Sequence, residues 1–178
     1  MKIGIISDIH DHLDELDQAL EVFKEESVGM ILNGGDWVCP YTLEYFDAKC
    51  QKLNLVVPVK SVFGNNEGDI KRIIERNSNL TNPIKFAPKI VFELEVETRK
   101  ISIFHGHDKV ILQSLIDCQK YDLIVTGHTH QVRNEVIGKT LVLNPGSLSK
   151  AKLSKKVTKA NIAIYDIDSN SAEIIDLK

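Results

Sequence analysis

The sequence lacks the features of a membrane or exported protein. No apolar run in its 178 residues is long enough to span a bilayer. The apolar start of the chain, residues 1–6, is too short for a signal peptide and leads directly into Ser7 and Asp8. We therefore expect a cytoplasmic protein with no membrane partner.

Paired cysteines and a basic charge are also missing. The three cysteines, Cys39, Cys50 and Cys118, are odd in number and unrelated in spacing, which excludes a disulfide framework or a zinc knuckle. A formal net charge of −3 argues against a large nucleic-acid footprint. The chain has no linker, low-complexity tract or internal repeat, so we expect a single domain over residues 1–178.

Hydrophobic periodicity predicts alternating strands and helices in the first half of the chain. Strands are expected at 2–7, 28–32 and 55–63, and helices at 13–26, 42–50 and 70–76. Pro58 lies inside the third of these strands, which indicates an edge strand or a bulge.

The second half is predicted to be mostly β-structure. A hairpin is expected at 90–97 and 100–104, a helix at 110–118, a buried strand at 123–126, and short strands at 135–137, 140–143, 161–167 and 172–177. Two sheets packed together with helices outside is the economical arrangement of these elements.

Polar side chains that can hold metal ions follow the predicted strands, at the point where each strand ends. In chain order they are Asp8, His10, Asp36, Asn65, His105, His128 and His130. Ligands of α/β sheets lie beyond the carboxyl ends of the strands, so these side chains are expected to converge there. Asp, Asn and His without Cys suit hard-to-borderline divalent cations.

The order and context of these clusters resemble the calcineurin-like metallophosphoesterase superfamily. The matching motifs are Asp8-x-His10, Gly35-Asp36, Gly64-Asn65, His105 and Gly127-His128-x-His130. The later Asn144-Pro145-Gly146-Ser147 resembles the small prokaryotic phosphodiesterase branch of that family. The resemblance implies an α/β fold, a four-layer α/β/β/α sandwich of two mixed β-sheets flanked by helices.

The resemblance also implies two metal sites and a reaction. Asp8, His10 and His130 would hold one ion, Asn65, His105 and His128 the other, and Asp36 would bridge both. A hydroxide shared by the ions would attack a phosphoester in line, which makes a phosphodiesterase the leading interpretation. Manganese is the expected metal, with iron, zinc and nickel left open because ligand type alone does not choose among them.

Two positions depart from the family's pattern. Many of its phosphatases have His after the Gly-Asn pair, as the acid that protonates the leaving group, and Asp three residues after the bridging Asp. Here those positions are Asn66 and Cys39. His12 and His107 are the remaining titratable neighbours, and His107 joins Asp36, Asn65 and Asn66 in the predicted catalytic set. Glu67 is at best an outer-shell candidate.

Other interpretations are kept open. A solvated loop position explains His107 at least as well as a catalytic role does, and Trp37 is expected to be a packing residue. The lysines at 150, 152, 155, 156 and 159 are expected in a solvated loop, with one of them as a candidate contact for phosphate. A scaffold resembling the retromer subunit of the same fold, a nuclease and a monoesterase are the rival functions. The expected partner is a small phosphoester substrate, with a homodimer left open.

Overall fold

A computed structural model of the chain describes residues 1–149 and 159–178. The strands in those ranges are β1 Lys2–Ile6, β2 Met30–Asn33, β3 Val59–Ser61, β4 Lys85–Phe86, β5 Phe92–Val96, β6 Arg99–Ile103, β7 Leu123–Val125, β8 Arg133–Ile137, β9 Thr140–Asn144, β10 Asn161–Asp166 and β11 Ser171–Asp176. The helices are α1 Leu13–Glu25, α2 Pro40–Leu53, α3 Ile70–Asn77 and α4 Lys109–Asp117. None of the helices in these two ranges could span a lipid bilayer.

The strands form two mixed sheets. The six-stranded sheet has the order β11-β10-β1-β2-β3-β4, and the five-stranded sheet has the order β5-β6-β7-β9-β8. Strands β1 to β4 run parallel, as do β6, β7 and β9, while the outer hairpins pair antiparallel. The predicted fold, with two sheets and helices outside, is confirmed.

Three separate apolar cores define four layers. One core packs α1, α2 and α3 against the outer face of the six-stranded sheet. A second lies between the two sheets, and a third packs α4 against the outer face of the five-stranded sheet. In β1, Ile3 and Ile5 enter the core between the sheets while Ile6 faces the helices, as the period of two along a strand requires.

Helix α1 shows how sequence spacing selects the buried face. Leu16, Leu20 and Phe23 are three and four residues apart, so they lie on one face, and all three are fully buried. Burying a side chain of this size contributes about 1.5–3 kcal/mol. Polar residues occupy the opposite face, which explains why this helix was readily predicted.

The third strand corrects the sequence-based prediction. Only residues Val59–Ser61 of the predicted 55–63 are strand, and Pro58 precedes them. Strand β3 is internal, because it pairs with β2 on one side and with the two-residue β4 on the other. Pro58 therefore marks the start of a strand, where its missing N–H is tolerated. The short strand β4 was not predicted.

Candidate metal centre

The carboxyl ends of the parallel strands of both sheets meet at one place, and all seven predicted ligand residues lie there. Asp8 follows β1, and Asp36 follows β2 in the same sheet. His105 follows β6, and His128 follows β7 in the other sheet. The site is thus built by the packing of the two sheets, with four ligand residues after strands of the six-stranded sheet and three after strands of the five-stranded sheet.

A first group of donors surrounds Asp8. The Nε2 atom of His130 lies 3.3 Å from Asp8 Oδ1, and Nε2 of His10 lies 3.8 Å from the same oxygen. The two Nε2 atoms are 3.1 Å apart. All three ligand atoms lie within 4.8 Å of one another, a spacing that a single metal ion can span.

A second group surrounds the side-chain oxygen of Asn65. Nε2 of His105 lies 2.9 Å from Asn65 Oδ1, and Nδ1 of His128 lies 2.7 Å from it. His105 is fully buried, and its Nδ1–H donates to the carbonyl oxygen of Gly34 at 2.8 Å. A carbonyl oxygen can only accept, so this hydrogen bond fixes the proton on Nδ1. The unprotonated Nε2 atom then faces the site with a lone pair that can bind a metal ion.

Asp36 stands between the two groups. Its Oδ2 atom is 3.4 Å from Nε2 of His10 and 3.4 Å from Nε2 of His105. Asp36 is fully buried. One carboxylate oxygen therefore faces donors of both groups at equal distance.

The ligand loops are held in a conformation that L-residues seldom adopt. Positive φ angles of 47° to 68° occur at five of the ligand residues, which are Asp8, His10, Asp36, His128 and His130. Val38, with a φ of 71°, is also in this region although it is β-branched. Such conformations cost about 1–3 kcal/mol each and persist only where the surroundings enforce them, as functional sites do.

Two glycines leave room for the carboxylates. A Cβ at Gly64 would lie 1.9 Å from Oδ1 of Asp36, and a Cβ at Gly127 would lie 2.5 Å from Oδ2 of Asp8. Any other residue at either position would displace a ligand carboxylate from its place. Glycine is thus required at both positions because a carboxylate lies directly against the backbone there.

The downstream motif supports the first group of donors. Ser147 donates its hydroxyl to the carbonyl of Asp8 at 2.8 Å, and Asn144 donates its side-chain N–H to the carbonyl of Gly127 at 2.7 Å. Ser7 donates to Asp8 Oδ2 at 2.6 Å, and the backbone N–H of His128 donates to the same oxygen at 2.9 Å. Asp8 is therefore fixed through both its backbone and its side chain.

Glu67 holds the loop that carries Asp36. Its Oε1 atom accepts the backbone N–H of Asp36 at 3.0 Å, of Trp37 at 3.3 Å and of Gly64 at 3.0 Å, and its Oε2 accepts that of Val38 at 2.9 Å. Glu67 thus lies beside the ligand set and not in it, as expected from the sequence. Its place three residues after Gly64 was the available signal, but the other three N–H groups belong to residues 36–38, which lie 29 to 31 residues earlier in the chain.

The electrostatics favour a positive charge in the centre. Burial opposes ionisation of Asp8 and Asp36, but hydrogen bonds from the histidines outweigh it and lower the pKa of both carboxyls. Burial alone would lower the pKa of His10 and His105, yet the two aspartates raise both pKa values. Burial and His105 lower the pKa of His128. Ionised carboxylates among imidazole nitrogens form a donor set that fits divalent cations.

The remaining predicted residues lie around this centre. Asn66 donates its backbone N–H to Oδ1 of Asp36 and its side-chain N–H to Oδ2, both at 2.8 Å. The ring of His107 lies with its centroid 5.7 Å from that of His105 and 6.4 Å from that of His128. His12 precedes α1 and contacts Ser149, with 3.0 Å between Nε2 and Oγ.

Several other residues singled out in the sequence lie outside the ligand set. Trp37 is fully buried, packs edge-on against Phe46 and donates to Ser61, so it is a packing residue. Lys159 pairs with Asp176. The other lysines of the predicted basic run, at 150, 152, 155 and 156, lie outside the described residues. All three cysteines are free thiols.

Comparison with known proteins agrees with this geometry. A profile of the calcineurin-like phosphoesterase superfamily domain matches residues 1–170. A phosphodiesterase of Methanocaldococcus jannaschii is 34% identical over 148 residues, covering 82% of this chain and 83% of the relative.

Solved structures share the architecture along the whole chain. An archaeal phosphodiesterase superposes with a TM-score of 0.86 at 29% identity, covering 99% of this chain and 100% of the other. The phosphoesterase YfcE of E. coli superposes with a TM-score of 0.66 over 100% of both chains, but at 20% identity this likeness concerns the fold alone.

Proposed function

This chain belongs to the calcineurin-like phosphoesterase superfamily, and from that premise we propose that it is a phosphodiesterase with a dinuclear metal centre. One observation carries the dinuclear part. Oδ2 of Asp36 lies 3.4 Å from an imidazole nitrogen of each donor group, where a ligand shared by two cations would stand. A shared anion offsets the repulsion between cations about 3.5–4 Å apart.

Each group of donor residues would hold one of the two metal ions. Asp8, His10 and His130 would hold one ion, and Asp36 would be shared with the other. Asn65, His105 and His128 would complete the second site. Bound cations supply two things to a phosphoester hydrolase, a water of lowered pKa and neutralisation of charge on the phosphate oxygens.

The side chain at position 66 bears on which leaving groups the enzyme can expel. Asn66 holds both oxygens of Asp36 through hydrogen bonds, and an amide is no acid near neutral pH. Asn66 therefore gives no proton to the departing alkoxide, which favours substrates whose leaving group is stable without one. We infer that diesters with good leaving groups are better substrates than monoesters, which bring extra negative charge to the buried carboxylates.

A complete donor set supports an enzyme rather than a scaffold. Each of the seven ligand positions carries a side chain with a metal-binding atom that faces the centre. A nuclease is less well supported, because the chain has a net charge of −3. Manganese as the native metal and a cytoplasmic location remain predictions, and a homodimer is left open.

Two measurements test the proposal. Protein reconstituted with manganese should contain close to two metal ions per chain by elemental analysis. Its kcat/KM should then be higher for an aryl phosphodiester than for the monoester with the same aryl leaving group. Absence of tightly bound metal would overturn the dinuclear centre, and a clear preference for the monoester would overturn the diesterase assignment.

A further inference from the structure

A cavity outside the metal centre lies between the start of α2 and helix α3. It has a volume of about 280 Å³. The side chains that matter for its chemistry are Pro40, Tyr41, Glu44, Asp69, Arg72 and Arg76. Sites for drug-sized ligands occupy roughly 300–1,000 Å³, so this cavity suits a single ring system and not a whole substrate.

Two short segments connect the cavity to the metal centre. They begin at Asp36 and Asn66, which are hydrogen-bonded to each other, and they run side by side, with Gly68 donating its N–H to Val38 at 3.0 Å. They end at the cavity, at Cys39 and Asp69. Three residues span at most about 11 Å, so the cavity is within reach of one arm of a phosphodiester held at the metals.

The charges of the cavity wall cancel. Arg76 pairs with Glu44, and the carboxylate of Asp69 faces the positive end of α3 by accepting the backbone N–H of Arg72 at 3.0 Å. Two arginines and two carboxylates leave no net charge for a second phosphate group. A neutral ring with hydrogen-bonding edges is the better complement to such a wall.

Two flat side chains are available to hold that ring. Tyr41 is 58% exposed although it lines a cavity. Among the residues that the structure describes, the guanidinium of Arg72 makes no hydrogen bond or ion pair. Tyrosine rings and guanidinium planes both stack on aromatic rings, and stacking of this kind accepts any nucleobase.

We propose that this cavity binds an aromatic ring of nucleobase type on one ester arm of the substrate. The inference rests on the proposed function, and it narrows the substrate class to phosphodiesters that carry such a ring. Binding energy from a remote arm can lower the barrier at the reacting phosphorus. This contribution is useful here because Asn66 provides no acid for the leaving group.

Binding of two phosphate monoesters to the metal-loaded protein tests the cavity. The probes are adenosine 5′-monophosphate and ribose 5-phosphate, which share the phosphate and sugar and differ in the base. We expect calorimetry to show that the nucleotide binds about tenfold or more tightly than the sugar phosphate. Tyr41→Ala and Arg72→Ala should remove this difference, whereas Tyr41→Phe should keep it.

Lys71→Ala is the matched control for Arg72→Ala. It removes the same charge from the neighbouring position, where the lysine side chain is 88% exposed and does not line the cavity. The proposal is overturned if the wild-type protein binds both probes equally, or if the nucleotide preference persists in both alanine variants. It is also overturned if Lys71→Ala removes the preference as completely as Arg72→Ala does.

Turnover of bis(p-nitrophenyl) phosphate by the same wild-type sample separates this proposal from the proposed function. No turnover with two metals bound would count against the phosphodiesterase, while the base-dependent difference in binding would still support the cavity. Turnover without any base-dependent binding would count against the cavity alone.

Discussion

Asn66 donates a hydrogen bond to each carboxylate oxygen of Asp36, from its backbone N–H to Oδ1 and from its side-chain N–H to Oδ2, each at 2.8 Å. The residue at the position of the family's acid therefore acts as a clamp on the central carboxylate. A charge-assisted hydrogen bond of this kind is stronger than a neutral one, so Asn66 helps to fix the orientation of Asp36.

Asp36→Asn should lower activity at least about 100-fold while the protein remains folded. Mutation of a residue that only supports a metal ligand lowers metal affinity or activity about 10–100-fold, and Oδ2 of Asp36 lies 3.4 Å from an imidazole nitrogen of each donor group. Without its charge, at least one manganese ion should be lost on dialysis, as elemental analysis would reveal. Asp108→Asn, at the exposed start of α4, is the control and should leave both ions bound. Full metal content and full activity in Asp36→Asn would contradict the bridging role.

Glu67→Ala should destabilise the protein by about 1–3 kcal/mol, because four backbone N–H groups would lose their acceptor. The loop that carries Asp36 would loosen, so manganese affinity should fall as well. Glu67→Gln keeps one acceptor oxygen and should recover part of both effects. Chemical unfolding and a manganese titration measure them, with Glu75→Gln on the exposed face of α3 as control. Unchanged manganese affinity in Glu67→Ala would show that the hydrogen bonds to Glu67 are not needed to place Asp36.

The double variant Asn66→His with Cys39→Asp restores the family's acid and its orienting carboxylate. General acid catalysis contributes about 10²–10⁴-fold in a suitable geometry. We expect a smaller gain, because Asn66→His removes the side-chain hydrogen bond to Asp36, and Asp11 already accepts the backbone N–H of Cys39. The gain in kcat should be larger for an alkyl than for an aryl leaving group, and larger in the double than in the single variant. Flat rates on the alkyl ester would mean that proton donation at this position does not limit the reaction.

The stability of metal-depleted protein should fall as the pH rises above about 6.5. His10 and His105 have raised pKa values, so their contribution is complete below about pH 6.5, the pKa of unfolded histidine, and is lost as the pH rises through the folded values. The lowered pKa of His128 has the opposite effect on stability, but it concerns one histidine against two. Asp8 and Asp36 have lowered pKa values, so their contribution is lost only in more acidic solution, below about pH 4.

Manganese should reverse that dependence, since a metal binds the neutral imidazole and its affinity therefore rises with pH. Denaturant unfolding in EDTA and in manganese, at several pH values, compares the two forms. Parallel curves in the two conditions would show that these histidines do not hold the metal.

Much of the fold was predictable because its signals are local. The three- and four-residue spacing of Leu16, Leu20 and Phe23 predicted α1, and strand ends followed by Asp, Asn or His predicted where ligands would converge. Strand β4 and the internal position of β3 were not predictable in this way. A two-residue strand has no periodicity, and whether a strand is internal depends on what pairs beside it.

Patterns of residue type and spacing along the chain predicted most of the helices and strands, the candidate ligand residues and the family, because each depends on neighbours in the sequence. The packing of the sheets and helices brings Nε2 of His10 within 3.1 Å of Nε2 of His130, 120 residues away, and places Glu67 against the loop of Asp36. It also decided that Tyr41 and Arg72 share one cavity. Such distances follow from strand register and from the packing of the layers, which no local pattern in the sequence encodes.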